Sequence, residues 1–351
     1  MIRVLVATPL GRGGNGGIDR LMDLVRDELA CCPPEGMEVR FEQTRGSGSI
    51  VLSPFVLTRF LAVMALWRPH VVHINVASHG STSRKLCIAA AAHALGITTV
   101  IHLHGALFRD FWGQASPRLS RAIAWMFARA GRVVVLGRVW RDFVLGRVPG
   151  AKIVVFPNAT RRPVLPPRLT DDETRLLFLG RLGERKGSRD LVDALARLDS
   201  TLGWRMIMAG DGEVAETRAR VAAAGLSNKV EVPGWVGAEY VAKLIAEADV
   251  LILPSYNENL PMSVIEGMAA GLAVIATPVG AVEDIVADGE TGLLVAPGDV
   301  PALAEAIRRL LHDPDLRAQL GSAAAALHRE QLDITPYVRR LVVLWRDAAA
   351  A

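Results

Sequence analysis

Apolar and polar positions along the chain fall into two successive series of short hydrophobic runs. Ile2–Ala7, Val39–Phe41, Val71–Val76, Thr98–Leu103, Val133–Leu136 and Ile153–Phe156 make the first series. Leu176–Leu179, Arg205–Ala209, Lys229–Val232, Val250–Leu253, Leu272–Ala276 and Gly292–Val295 make the second. Each run has the length of a buried strand, and helical stretches separate them. Pro163, Pro166 and Pro167 punctuate the boundary between the two series and read as a linker. Strand–helix alternation, twice over, predicts an α/β protein of two doubly wound, Rossmann-like domains facing across a cleft. The boundaries are 1–163 for the first domain, 172–331 for the second and 332–351 for a closing helix.

The best-defined stretch is Asp249–Gly271. Pro254 and Ser255 end the run Val250–Leu253, a helix is expected from Pro261, and Gly271 suits its stop. Glu258 falls in the loop and Glu266 inside the helix, both near the carboxyl end of a parallel strand. Open α/β sheets bind ligands there. The unpaired N–H groups of Met262 and Ser263, in the first helical turn, would attract phosphate.

Composition narrows the class. With 351 residues, 51% hydrophobic, and a mean hydropathy of +0.28, the chain has ample material for two cores. Cys31, Cys32 and Cys87 make neither a disulfide framework nor a metal spacing, so a reducing cytosol is expected. Ile2–Ala7 is too short for a secretory leader. Leu86–Phe108 lacks Asp, Glu, Lys and Arg, but Gly96 and three histidines divide it into a helix, a turn and a strand. The net charge is +4, yet Arg109–Arg147 carries eight arginines against Asp110 and Asp142, a local +6. An anionic membrane surface or a diphosphate-bearing acceptor would suit it, as would plain solvation of helix faces. Within Pro117–Ala130, helical spacing puts Ile123, Met126, Phe127 and Ala130 on one side. Arg118, Arg121, Trp125 and Arg129 lie on or beside the other, so an interfacial helix is one reading and packing on the sheet the other.

Two glycine loops carry candidate chemistry. Gly11, Gly13 and Gly16 fit a dinucleotide fingerprint, with Glu42 as a ribose acid. An NAD-linked oxidoreductase is therefore an alternative, although glycine is so crowded here that some spacing had to fit, and a flexible turn would also serve. His102 and His104 share a strand face, and His73 is the one neighbour that could join them at a metal; His104 reads instead as a cleft residue that hydrogen-bonds a polar ligand. Gly180–Gly187 presents Arg181 and Lys186, a fork and a point charge suited to an anion opposite the helix at Met262.

Gly180-Arg181-Leu182 with Lys186-Gly187, Ala209-Gly210-Asp211-Gly212-Glu213, Pro254-Ser255, Glu258, Glu266, Met268–Gly271 and Asp288–Val295 together resemble the donor domain of retaining glycosyltransferases of family 4. Gly16–Arg20, His73–Asn75, Ser83–Lys85 and His102–Gly105 are similar, more loosely, to the bacterial exopolysaccharide branch. The resemblance implies a fold of the GT-B type, with the closing helix packed back on the first domain. Arg181 and Lys186 would then hold the donor diphosphate, Glu266 the ribose, and Glu258 and His104 the transferred sugar. Backbone at Pro233–Val236, including Trp235 and Val236, would face the base. Gly16 and Gly17 would admit the phosphates, and Gly210, Leu260, Met262 and Ser263 complete the donor site. Asn259-Leu260-Pro261 departs from the common Gly-Phe-Gly, so sugar preference does not carry over.

Asp313-Pro314-Asp315 has the letters of an Asp-x-Asp metal motif but reads as a helix cap. No metal and no cofactor are expected. The resulting expectation is a cytoplasmic, peripherally membrane-bound hexosyltransferase for surface polysaccharide. It would take a UDP-sugar, with GDP-mannose second, to a saccharide or lipid-diphosphate acceptor, with no nucleic-acid role. A catalytically silent relative that only binds a partner is the other alternative.

Overall fold

The structure is a computed structural model that describes residues 1–13, 16–45, 53–164, 173–199 and 201–350. Gly14 and Asn15 of the first glycine loop, and Pro166 and Pro167 of the linker, lie outside the described residues. The chain divides into two compact units, Met1–Ala159 with Ile334–Ala351, and Thr160–Asp333.

In the first unit the strands are β1 (Ile2–Thr8), β2 (Met37–Gln43), β3 (Val71–Val76), β4 (Thr98–Leu103), β5 (Arg132–Val135) and β6 (Ile153–Val155). The helices between them are α1 (Gly17–Cys31), α2 (Ser53–Trp67), α3 (Gly80–Ala94), α4 (Phe108–Gly113), α5 (Pro117–Ala128) and α6 (Arg138–Arg147). All six strands are parallel, in the order β2-β1-β3-β4-β5-β6. The central strands are buried because helices cover both faces; Val4–Ala7 and Val71–Val76 are fully buried, His73 and Asn75 among them.

In the second unit the strands are β7 (Thr174–Leu179), β8 (Trp204–Ala209), β9 (Val230–Gly234), β10 (Val250–Leu253), β11 (Ala273–Ala276) and β12 (Leu293–Leu294). Its helices are α7 (Ser188–Leu195), α8 (Val214–Ala223), α9 (Ala238–Glu247), α10 (Met262–Ala269), α11 (Val300–His312) and α12 (Pro314–Leu327). The sheet order is β12-β11-β10-β7-β8-β9, again parallel throughout. The chain then returns as α13 (Ile334–Ala350), which packs on α1, β1, β3 and β4 of the first unit.

Strand order fixes where each unit can bind a ligand. Successive crossovers reverse direction where the chain, having filled one side of its first strand, moves to the other. In the first unit that switch lies between β1 and β3. In the second it lies between β7 and β10. At either point two adjacent loops leave the sheet to opposite faces and open a crevice at the carboxyl ends of the strands.

One expectation needs correction, and one of the two readings of α5 is set aside. Pro261 is the N-cap of α10 with an extended ψ of 128°, not its first helical residue. The apolar side of α5 is not presented to a membrane: Ile123, Met126 and Phe127 are buried in the core of the first unit. Phe108, Trp112 and Phe127 form one ring cluster, with Trp112 and Phe127 stacked at 5.3 Å. Apolar contact inside the unit is the stronger claim on these side chains, because the same face cannot be buried twice. Among the described residues no helix is long and apolar enough to cross a membrane.

Candidate functional site

The loops after β7 and β10 meet at the switch point of the second unit. Gly187 sits at φ 67°, and a Cβ there would fall 2.0 Å from the Pro254 carbonyl oxygen. Gly280, at φ 62°, packs on the other side, where a Cβ would fall 2.2 Å from the Glu258 carbonyl oxygen. Glycine at these two positions therefore lets three loops close on one another, which side chains would hold apart. The Tyr256 N–H donates to the Arg185 carbonyl at 2.9 Å and fastens the two loops further.

This contact delivers Lys186 to Glu258. Their charged groups form an ion pair, with only 12% and 8% of the side chains exposed. Arg185 Nη1 stands 3.7 Å from the same carboxylate, and the Ser255 hydroxyl donates to it at 3.1 Å. Two cations and a hydroxyl thus hold a nearly buried carboxylate in one orientation, the condition under which burial of such a group is tolerated. Arg181, on the same loop, is exposed and pairs with Asp211 at 3.4 Å. Its guanidinium fork is available to solvent and to ligands.

The neighbouring loops gather beside this centre. Backbone bonds Gly180 N to Ala209 O (3.1 Å), Leu182 N to Asp211 O (2.7 Å) and Gly210 N to Gly234 O (2.8 Å) zip together the ends of β7, β8 and β9. Gly210 is thereby pressed against Gly180, and Trp235, 61% exposed, stands with Val236 just beyond β9. Leu260 is buried before α10. Met262 and Ser263 form the first turn of α10, and Glu266 lies one turn further on; all three are half-buried. A cavity of about 400 Å³ is lined by Arg181, Gly183, Arg185, Lys186 and Gly212, among others. Arg181, Arg185 and Lys186 bring cations to this cavity and Glu184, Glu213 and Glu216 bring carboxylates, while the paired Glu258 offers an acceptor for hydroxyls.

The remaining expected site residues belong to the first unit. Gly16 is the N-cap of α1 and Gly17 its first residue, both exposed. His104 follows β4, half-buried, with its Nε2 2.9 Å from Asn75 Oδ1. The Asn75 amide N–H donates to the Ala7 carbonyl, so its oxygen accepts and His104 Nε2 carries the proton.

His73 and His102 are wired behind it. The Trp345 indole N–H donates to His73 Nδ1, so His73 Nε2 bears the hydrogen it gives to His102 Nδ1 at 3.2 Å. His102 is then protonated at Nε2, a buried atom without a partner among the described residues. Burial pushes His73 down to about 4 and His104 down to about 3, and His102 well below the ordinary imidazole range. The three rings are neutral; His102 and the indole engage both nitrogens of His73, and Asn75 engages His104 Nε2. Among the described residues no group of three acidic, histidine or cysteine side chains could hold a metal ion. Asp313 caps α12 through Leu316 N at 2.8 Å, as its spacing predicts. Glu42, the acid an NAD site would use, is paired with Arg59 at 3.0 Å.

Sequence reading missed Arg185 and Ser255 as holders of Glu258, although both lie within motifs it singled out. It also missed Trp345, which carries no local signal for a partner 272 positions away.

Two family models match the chain: "Glycosyl transferases group 1" over residues 166–327 and "Glycosyl transferase 4-like domain" over residues 2–159. Among curated proteins the chain is similar to the alpha-D-kanosaminyltransferase of Streptomyces kanamyceticus, 29% identical over 179 residues. The match covers 50% of this chain and 46% of that one, so it spans less than half the relative's length. Among solved structures, sucrose-phosphate synthase from Thermosynechococcus elongatus aligns with a TM-score of 0.79 at 22% identity, over 100% of both chains. Anabaena HepE, solved in complex with UDP-glucose, aligns with a TM-score of 0.77 at 19% identity, over 98% of this chain and 99% of that one. These likenesses give the fold, two parallel six-stranded α/β sheets of the GT-B type.

Proposed function

Because the chain belongs to the group 1 glycosyl transferases with a glycosyl transferase 4-like first half, we propose that it moves a sugar from a nucleoside-diphosphate sugar to a saccharide or lipid-diphosphate-linked acceptor. Transfer proceeds with retention of anomeric configuration and without a metal. A UDP-sugar is the favoured donor; a structural neighbour was solved with UDP-glucose, which supports the base.

The observation that carries the reading is the pairing of Lys186 with Glu258 at a switch point, with Arg181 on the same loop. Cleaving a sugar–phosphate bond leaves a diphosphate whose negative charge grows toward the transition state. Arg181, Lys186 and the N–H groups of Met262 and Ser263 are fixed donors for that charge. Such preorganised donors typically contribute about 10²–10³ in rate each. Glu258 accepts hydroxyls of the transferred sugar, His104 another, and Glu266 those of the ribose. Trp235 and Val236 flank the base. The membrane part of the reading rests on charge alone: Arg118, Arg121 and Arg129 are exposed and could meet anionic headgroups at a cytoplasmic surface.

A thermal-shift series with UDP, GDP, ADP and NAD tests the donor class, since a ligand that binds only the native state raises its melting temperature. UDP should give the largest rise. A rise with NAD alone would overturn the proposal.

A further inference from the structure

One face of the first sheet is only partly covered. Right-handed crossovers put α3, α5 and α6 on one face and α1 on the other. The last helix, α13, joins α1 there and packs on β1, β3 and β4. Beyond α13 that face runs on to β5 and to the edge strand β6, with no further helix over it among the described residues. A sheet face is ordinarily closed by a packed element. Here a slot of about 380 Å³ lies between the strands and α13, within the first unit. Two strands, β4 and β5, separate β6 from the switch point at β1 and β3.

The walls of the slot are aliphatic. Val154 comes from β6, and Val343 and Leu344 come from α13. Arg340, Val343, Leu344 and Asp347 recur at three- and four-residue steps, so they share one side of that helix. Val343 is 53% exposed where Leu344 is buried, so the apolar wall continues from the core into solvent. Phe156, just past β6, also lines the slot. Tyr337 stacks on its ring at 4.2 Å, and the Arg340 guanidinium lies 4.5 Å from the ring centre. The ring is left 2% exposed and has no face to offer a ligand.

The rim is cationic. Arg132, Arg339 and Arg340 line the slot, against Asp347 as the one acid among the lining residues. Arg132 gives one N–H to the Gly131 carbonyl at 2.8 Å and has the rest of its fork to spare. Among the described residues none of the three arginines is ion-paired. Lys152, whose carbonyl accepts the Val133 N–H at 2.9 Å, adds charge beside Arg132. So much like charge opposes a second copy of the chain seated on this face by its own slot.

We propose that the slot binds an alkyl carboxylate, a fatty-acid-like anion with one charge. Its aliphatic walls and the enclosed Phe156 ring suit a hydrocarbon chain rather than an aromatic ring. The unpaired arginines call for an anion, and Asp347 penalises a second negative charge, which selects carboxylate over phosphate. The size is that of a small-ligand site rather than a protein interface. The inference does not rest on the glycosyltransferase reading.

The test is isothermal titration of the full chain with decanoate, below the concentration at which it forms micelles. Decanoate should bind saturably and raise Tm. Decanol keeps the chain and lacks the charge. It should bind about tenfold more weakly or worse, the usual cost of losing a charge-assisted hydrogen bond. Val343→Asp and Arg339→Gln change exposed positions, so both variants should melt as wild type does without ligand. Each should weaken decanoate about tenfold. Benzoate and decyl phosphate should both bind less tightly than decanoate. Decanoate that fails to saturate, decanol that binds as tightly, or either variant binding like wild type overturns the proposal. So does tighter binding of benzoate or of decyl phosphate.

Discussion

The indole of Trp345 donates to His73 Nδ1 at 3.0 Å, and through that bond the last helix sets the tautomer of His73 and, through His73, that of His102. Trp345 and His73 are both fully buried. Trp345→Phe keeps the ring but strands His73 Nδ1 without a donor. An unsatisfied buried acceptor typically costs about 1–3 kcal/mol. Urea unfolding of the variant should show a loss in that range with an unchanged m-value, and a loss near zero would refute the tautomer assignment.

The same cluster makes stability depend on pH. His73 and His104 are neutral in the folded chain, at about 4 and about 3, and titrate near 6.5 once unfolded. Below pH ~6.5 the unfolded chain binds more protons, so stability falls as pH drops toward the folded values. The contribution is complete above pH ~6.5. Each ring gives a slope of up to about 1.4 kcal/mol per pH unit within its window. Unfolding curves at pH 7.5 and 5 should therefore diverge, and His104→Gln should narrow the gap. An unchanged gap would exclude His104 as a source.

Arg181→Ala and Lys186→Ala should each lower kcat/KM by roughly two orders of magnitude. The structure separates their effects on stability. Arg181 is exposed, so its loss should leave Tm within a degree or so of wild type. Lys186→Ala leaves the nearly buried Glu258 carboxylate with Arg185, at 3.7 Å, and the Ser255 hydroxyl in place of a close ion pair, so that variant should also melt lower. Near-normal turnover by either folded variant would dismiss the clamp.

Chelator should leave turnover intact. Asp313→Ala removes the cap of α12 and should cost about 1 kcal/mol of stability with no effect on rate. Activity lost in EDTA and restored by Mg²⁺ or Mn²⁺ would return Asp313 and Asp315 to the chemistry.

Any binding to anionic vesicles should be purely electrostatic, since α5 already buries its apolar side. Pelleting with anionic vesicles at low salt should vanish at high salt and in a chain with Arg118, Arg121 and Arg129 changed to Ser. Pelleting that survives both changes would place the contact elsewhere.

Much of this was legible in the sequence because buried parallel strands announce themselves. Val250–Leu253 is apolar on both faces, Val71–Val76 is apolar but for His73 and Asn75, and the described strands coincide with such runs within two residues or so. Lys186 and Glu258 were legible as motif letters. That they touch was not, because the contact depends on Gly187 lying against Pro254, far along the chain. The two readings of α5 could not be separated in the sequence for a similar reason. Helical periodicity locates an apolar face but not what covers it, and Phe108 and Trp112 supply that cover from a different helix. Trp345 is a single letter whose environment exists only after folding.

The route of the chain carries a consequence for biosynthesis. The first unit receives α13 only after all of Thr160–Asp333 has been made. Until then the surface that Tyr337, Leu341 and Trp345 will cover stands bare, and His73 waits for its donor. A ribosome-bound intermediate would thus show a finished second unit beside a first that is still open. Holdase chaperones should recognise that surface, and a chain cut back to Ala159 should aggregate rather than fold.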